Sequence, residues 1–135
     1  MLVLCPKCWN ELKSTPVTCP NCGTKIDIYS RDYERQLIAA ISRSVAERRA
    51  QICWVLGARG KRSSVPALIE LLHDPDLLVR VAALRALAEI GDGSAVNAVE
   101  KATMSEQLAI RTVARQVLNV LLSVAPASAE HSRAK

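Results

Sequence analysis

Apolar residues return at three- and four-residue intervals through most of residues 32–123, the spacing that lines one face of an α-helix. Breaks in the pattern divide it into six helices, near 32–43, 45–56, 64–73, 75–90, 94–102 and 105–123. Ser64 is placed to cap the third, with Pro66 tolerated in its first turn. Asp74 is placed to cap the fourth, with Pro75 at its first position and Gly91 just past its end. The segment from Val79 to Ile90 recurs downstream from Ile110 to Leu121, where Arg111 matches Arg80, Ala114 matches Ala83 and Leu118 matches Leu87. Upstream, Val45 to Gly57 aligns with it at a slightly longer spacing, with Leu56 and Gly57 opposite Ile90 and Gly91 and the extra length in the loop from Ala58 to Ser64. The chain therefore reads as a mostly α fold of three antiparallel helix pairs. One pair alone cannot bury both of its faces, so the pairs must stack and the ends must be capped.

The central pair carries the most specific pattern: Val-Pro-Ala-Leu-Ile-Glu-Leu-Leu at 65–72, Asp-Pro-Asp-Leu-Leu-Val-Arg at 74–80, and Ala-Leu-Ala-Glu-Ile-Gly-Asp at 86–92. It resembles the HEAT repeat family, in the short form known from phycocyanobilin lyases. The resemblance implies a short α-helical solenoid whose second helices line a concave surface. It also implies a structural ladder between repeats carried by Asp74 and Arg80. In the third pair Ser105 stands where the aspartate would be, so that ladder is expected to be incomplete although Arg111 is retained.

Four cysteines precede the helices, as Cys5-Pro-Lys-Cys8 and Cys19-Pro-Asn-Cys22. Two residues between cysteines let each pair grip one ion from a tight turn, and four thiolates complete a tetrahedral site. Pro6 and Pro20 pre-set φ, and Gly23 supplies a positive φ after Cys22, whereas Trp9 occupies the matching place after Cys8. The segment resembles the short zinc ribbon family over residues 1–28, a small β module with one structural Zn2+ on Cys5, Cys8, Cys19 and Cys22. Iron in a rubredoxin-like site shares the same ligands. Two disulfides are the other reading, and they require an oxidising compartment. The residues before Cys5 are too few for a signal peptide, which points to a cytoplasmic, metal-bound form. So short a module lacks the apolar material to fold unaided, and the metal is expected to act as its core.

Half of the residues are hydrophobic, yet only 3% are aromatic and phenylalanine is absent, so Ala, Leu, Val and Ile must build the helical core. No run approaches the ~20 apolar residues of a membrane span. The net charge of +5 is unevenly placed: residues 29–62 carry eight basic and three acidic residues, and residues 63–104 carry three basic and six acidic. Such asymmetry can steer an acidic partner. Residues 125–135 hold no large apolar side chain and are expected to be disordered, leaving 29–124 as the repeat domain.

Cys53 aligns with Leu87 and Leu118 and reads as a small core residue rather than a nucleophile, since neither His73 nor His131 is placed to act as its base. Trp54 reads as packing. The segment from Gly57 to Ser64 lacks the glycine spacing and the preceding strand of a phosphate-binding loop; it remains a cationic loop able to meet phosphates or carboxylates. Candidate contact residues are Arg48, Arg49, Arg59, Lys61 and Arg62. The last helix spreads Ile110, Val113, Ala114, Val117, Leu118, Val120, Leu121 and Val124 over a wide arc, read first as packing and second as a self-association face. The leading functional expectation is a non-enzymatic adaptor that binds a protein through its repeats. Nucleic-acid or ribosome association is the alternative, and a bilin lyase-like subunit ranks third.

Overall fold

The computed structural model describes residues 3–12 and 18–124. The tail expected at 125–135 lies outside these residues. The chain opens with two short antiparallel strands, β1 (Val3–Leu4) and β2 (Glu11–Leu12), paired Val3 to Leu12 and Leu4 to Glu11. Six helices follow: α1 (Arg31–Ala40), α2 (Ala46–Arg59), α3 (Val65–Glu70), α4 (Leu77–Ile90), α5 (Val96–Ala102) and α6 (Leu108–Val124). They form three consecutive pairs. The second helices lie side by side, with α4 between α2 and α6. This is a short helical solenoid behind a small N-terminal sheet.

The structure makes the repeat period uniform. Ala46, Leu77 and Leu108 open the second helices at equal intervals, and Val65 and Val96 open the two later first helices at that same interval. Gly60 and Gly91 follow α2 and α4 with φ of 67° and 71°, the left-handed conformation that ends a helix without a Cβ clash. Gly60 is therefore the counterpart of Gly91, and the upstream alignment that pairs Gly57 with Gly91 is displaced. Gly57 has another role inside α2. A Cβ there would stand 2.8 Å from Ala86 Cα, so glycine lets α2 and α4 approach closely.

Two caps differ from expectation. Asp76, not Asp74, caps α4, accepting from the Leu78 and Val79 amides at 2.9 and 3.3 Å. Pro75 consequently lies outside the helix. Ser64 is buried but gives α3 no side-chain cap, because a 3-10 turn at Arg62–Ser64 leads directly into the helix.

Small apolar side chains build the core as composition requires. Leu56, Leu68, Leu84, Leu87 and Leu121 are sealed from solvent, and Ala83 and Ala114 are buried among them. Helix α4 is apolar almost all round because it is packed on several sides, by α2, α3 and α6. In α6, Ile110, Ala114, Val117 and Leu121 form the buried stripe, with Val113 and Leu118 packed at its edge. Most of its apolar arc thus serves internal packing, as first read; Val120 and Leu122 remain exposed.

The N-terminal module shares this core. Val3, Leu4, Leu12, Ile26 and Ile28 belong to the same buried cluster as the helices. Buried Tyr33 of α1 binds β1 twice, its hydroxyl donating to the Leu4 carbonyl at 2.9 Å and accepting from the Leu4 amide at 3.1 Å. At the end of α2, Arg59 donates to Glu34 and to the Ile28 carbonyl, and its guanidinium lies 4.6 Å above the Tyr33 ring. Among the described residues no helix is long and apolar enough to cross a membrane.

Candidate functional site

Two knuckles built on the same backbone plan bring the four cysteines together. In the first, the Trp9 amide donates to the Cys5 carbonyl at 2.8 Å and the Cys5 amide to the Asn10 carbonyl at 3.0 Å. In the second, Gly23 donates to Cys19 at 2.9 Å and Cys19 to Thr24 at 2.8 Å. Each turn closes with a positive φ, 67° at Trp9 and 75° at Gly23. A side chain in that conformation costs about 1–2 kcal/mol. Trp9 gains a contact that offsets part of it, since the Arg48 guanidinium lies 5.0 Å from its ring centroid.

All four Sγ atoms lie within 4.8 Å of one another, with Cys5 to Cys22 at 3.5 Å and Cys8 to Cys19 at 3.6 Å, and none is bonded to another. A tetrahedron of sulfurs about 2.3 Å from a central ion has edges of roughly 3.8 Å, so this set fits a metal ion. The thiols are unequal. The Thr24 hydroxyl, 3.1 Å from Cys22 Sγ, and the Thr24 amide draw the Cys22 thiol down to about 6. Hydrogen bonding from the Asn21 side chain and the Asn10 amide lowers Cys8, whereas burial pushes Cys5 up to about 11. Cys22 is thus drawn toward ionisation, and a metal held by the four sulfurs would require Cys5 to lose its proton.

The cations singled out by sequence divide sharply. Arg49 points into the stack: its Nε and Nη2 donate to Asp74 Oδ2 and Oδ1 at 2.8 and 3.0 Å, and its Nη1 to the Ser44 carbonyl at 2.7 Å. Arg59 is held by Glu34, Ile28 and Tyr33, and Arg48 by Trp9 and by Gln51 Oε1 at 3.0 Å. These three are tied into the fold, while Lys61 and Arg62 are exposed at the turn before α3. Asp74 and Arg80, the two ladder residues, are not bonded within their own repeat. Asp74 binds Arg49 of the preceding pair, and Arg80 shows no hydrogen bond to it. Burial opposes ionisation of Asp74, but the bonds from Arg49 and the Asp76 amide outweigh it, helped by the Arg49 and Arg80 charges, and hold the carboxyl below the usual carboxylate range. Three equally spaced arginines, Arg49, Arg80 and Arg111, are the sequence signal for this register.

Cys53 is fully buried, as expected of a core residue, and burial pushes its thiol up to about 12. In the uniform register its counterpart is Leu84 rather than Leu87. Its neighbour Trp54 is 61% exposed, contrary to the packing reading, because adjacent helical positions face about 100° apart and the Cys53 side is the buried one. Trp54 opens onto a groove of about 750 Å3 between α2 and α4. Ala50, Gln51 and Ala58 line one wall, and Leu78, Val81 and Ala82 the other, with Glu47, Arg85 and Glu89 at the rim. Leu78 is 70% exposed. The groove is therefore largely apolar, open, and bordered by charges of both signs.

Comparison with curated proteins gave no match. A family model described as HEAT repeats matches residues 34–119, which spans nearly all of the three helix pairs. With a uniform period, stacked second helices and an inter-repeat arginine–aspartate rung, the chain belongs to the HEAT-repeat family.

Proposed function

We propose that the chain is a non-enzymatic adaptor that holds an amphipathic helix of a protein partner in the groove between α2 and α4. The observation that carries this reading is the pair of exposed apolar side chains, Trp54 and Leu78, facing one largely apolar groove. An exposed tryptophan over a concave apolar strip fits the anchor residue of a helix-in-groove contact. Glu47, Arg85 and Glu89 would set register and orientation at the rim. HEAT repeats commonly serve protein–protein interaction, and the groove lies along their second helices. The N-terminal module is read as a zinc ribbon that caps the stack, with one structural Zn2+ on Cys5, Cys8, Cys19 and Cys22. With four protein ligands the ion keeps no open position for substrate. Metal analysis of purified protein distinguishes zinc from iron, and one zinc per chain is expected.

The adaptor reading is tested by capturing partners with zinc-loaded protein and with Trp54→Ala and Leu78→Asp variants. Expected is a nuclease-resistant protein partner retained by the parent and lost from both variants. Equal retention by all three would remove the groove from the account.

A second reading, nucleic-acid or ribosome association, draws on a different surface. Tyr29, 87% exposed, shares a shallow cavity with Arg31, Arg35 and Lys61, which places a stacking face beside unburied cations. Steep loss of RNA binding with salt, weakened by Tyr29→Ala and Lys61→Ala, would favour it. The bilin lyase-like alternative rests on the repeat motif alone and requires bilin binding, which absorbance titration measures.

A further inference from the structure

Because the period is uniform, each part of one inter-repeat rung has a counterpart in the next repeat. Between the first and second pairs the rung is complete, with Arg49 forked onto the Asp74 carboxylate. Between the second and third, the corresponding residues are Arg80 and Ser105. Ser105 retains one half of what Asp74 does. Its Oγ accepts from the Gln107 amide at 3.2 Å, as Asp74 Oδ1 accepts from the Asp76 amide at 2.9 Å. It carries no charge and no second oxygen for the other half. Arg80 Nε is consequently buried without a hydrogen-bond partner among the described residues.

A buried guanidinium N–H without an acceptor is rare and costly, and here it adjoins open space. Arg80 and Ser105 line a cavity of about 430 Å3 together with Lys101, His73 and Asn97, on a floor that includes Leu72. Among the described residues no carboxylate lines it, although residues 63–104 as a whole are acidic. Asp74 does not supply the missing acceptor: its oxygens are bonded to Arg49 and the Asp76 amide, and neither is bonded to Arg80.

We propose that this cavity is a carboxylate-binding site, in which an aspartate or glutamate side chain of a partner segment completes the rung that Ser105 leaves open. The planar fork of Arg80 matches a carboxylate, and Lys101 adds a second positive charge. The mixed polar and apolar lining suits an acidic side chain carried on a peptide. The site goes beyond the groove reading and shares no lining residue with the Trp54 groove, so Trp54→Ala leaves it intact and the two fail independently.

The test is NMR titration of the Arg80 Nε–H signal in the full-length, zinc-loaded chain. Three probes are compared: an acetylated, amidated Ala-Asp-Ala tripeptide, its Ala-Asn-Ala counterpart, and an acetylated Ala-Ala-Ala with a free C-terminal carboxylate. The Asp peptide should shift the signal saturably and the Asn peptide should bind at least tenfold more weakly, as expected for loss of a charge-assisted bond. A response to the free C-terminus alone would overturn the assignment to an acidic side chain. Ser105→Asp, which supplies the carboxylate in cis, should abolish the response and raise Tm by a few degrees. If that variant does not fold, Arg80→Gln serves instead, with binding read from the backbone amide signals of Lys101 and Ser105, and should leave the Asp peptide without measurable binding. Equal shifts with the Asp and Asn peptides, or an unchanged response in either variant, would overturn the proposal.

Discussion

The N-terminal module and the helical stack reach a stable core by opposite routes. The stack repeats one solution, small apolar side chains sealed between helices at a fixed period, and its strength is spread over many positions. The module concentrates its organisation in four sulfurs and a few buried side chains. It is also the strained part, since Trp9 adopts a conformation that glycine holds in the matching turn. Yet the two are joined by specific bonds, Tyr33 to Leu4 and Arg59 to Ile28, and by one continuous buried cluster. The module should therefore be fragile to chemistry and the stack to packing. Damage to either should be felt mainly at α1 and the end of α2.

Removing the proposed metal is the largest perturbation. Structural zinc supplies an apparent ~10–16 kcal/mol in comparable small sites, so chelation or Cys19→Ser should unfold the module while circular dichroism retains most of the helical signal. Loss of all helix would show that the stack cannot stand without its cap. Asp74→Asn acts on the other side of the comparison. It leaves Arg49 partly buried without its counter-charge and should cost ~3 kcal/mol in denaturant unfolding, with metal affinity unchanged.

The sign of the pH dependence follows from the lowered carboxyl of Asp74. Its contribution is present above the unfolded value of ~3.9 and is lost as pH falls through the lower folded value. The stability gap between the parent and Asp74→Asn should therefore close in acid below about pH 4. A gap that persists there would assign the effect to shape rather than charge.

Tyr33→Phe sharpens the boundary between the regions. It leaves the Leu4 amide and carbonyl without their buried partner, at about 1–3 kcal/mol, and should increase hydrogen exchange in β1 before α4. Gly57→Ala tests packing within the stack. The new Cβ must displace Ala86, and we expect a net loss of about 1–2 kcal/mol after the gain in helix propensity. Trp54→Ala should be the mildest, within ~0.5 kcal/mol of the parent in stability, while costing ~2 kcal/mol or more in partner binding.

Much of this was legible in the sequence because periodicity and cysteine spacing are local signals. The three helix pairs, the small-residue core, burial of Cys53 and the clustering of four cysteines all follow from such patterns. The register of the first repeat was not legible from its apolar residues. Leu56 and Gly57 imitate Ile90 and Gly91, and only the backbone reveals that Gly60 ends the helix while Gly57 serves a close approach. The roles of the arginines were hidden for a related reason. Arg49 and Arg59 read as surface cations until the fold brings Asp74, Glu34 and the Ile28 carbonyl to them from distant parts of the chain. The groove was missed because it is formed across two helices. Trp54 and Leu78 share no local pattern, and only stacking puts them on one surface.

Hydrogen exchange with and without chelator decides whether the N-terminal module, held by the proposed metal, is a cap sharing the core of the repeat stack. Chelation should expose the amides of residues 3–12 and 18–30 together with α1 and the last turn of α2, while α4 and α6 keep their protection. Loss confined to residues 3–12 and 18–30, with α1 and α2 unaffected, would make the module an independent appendage.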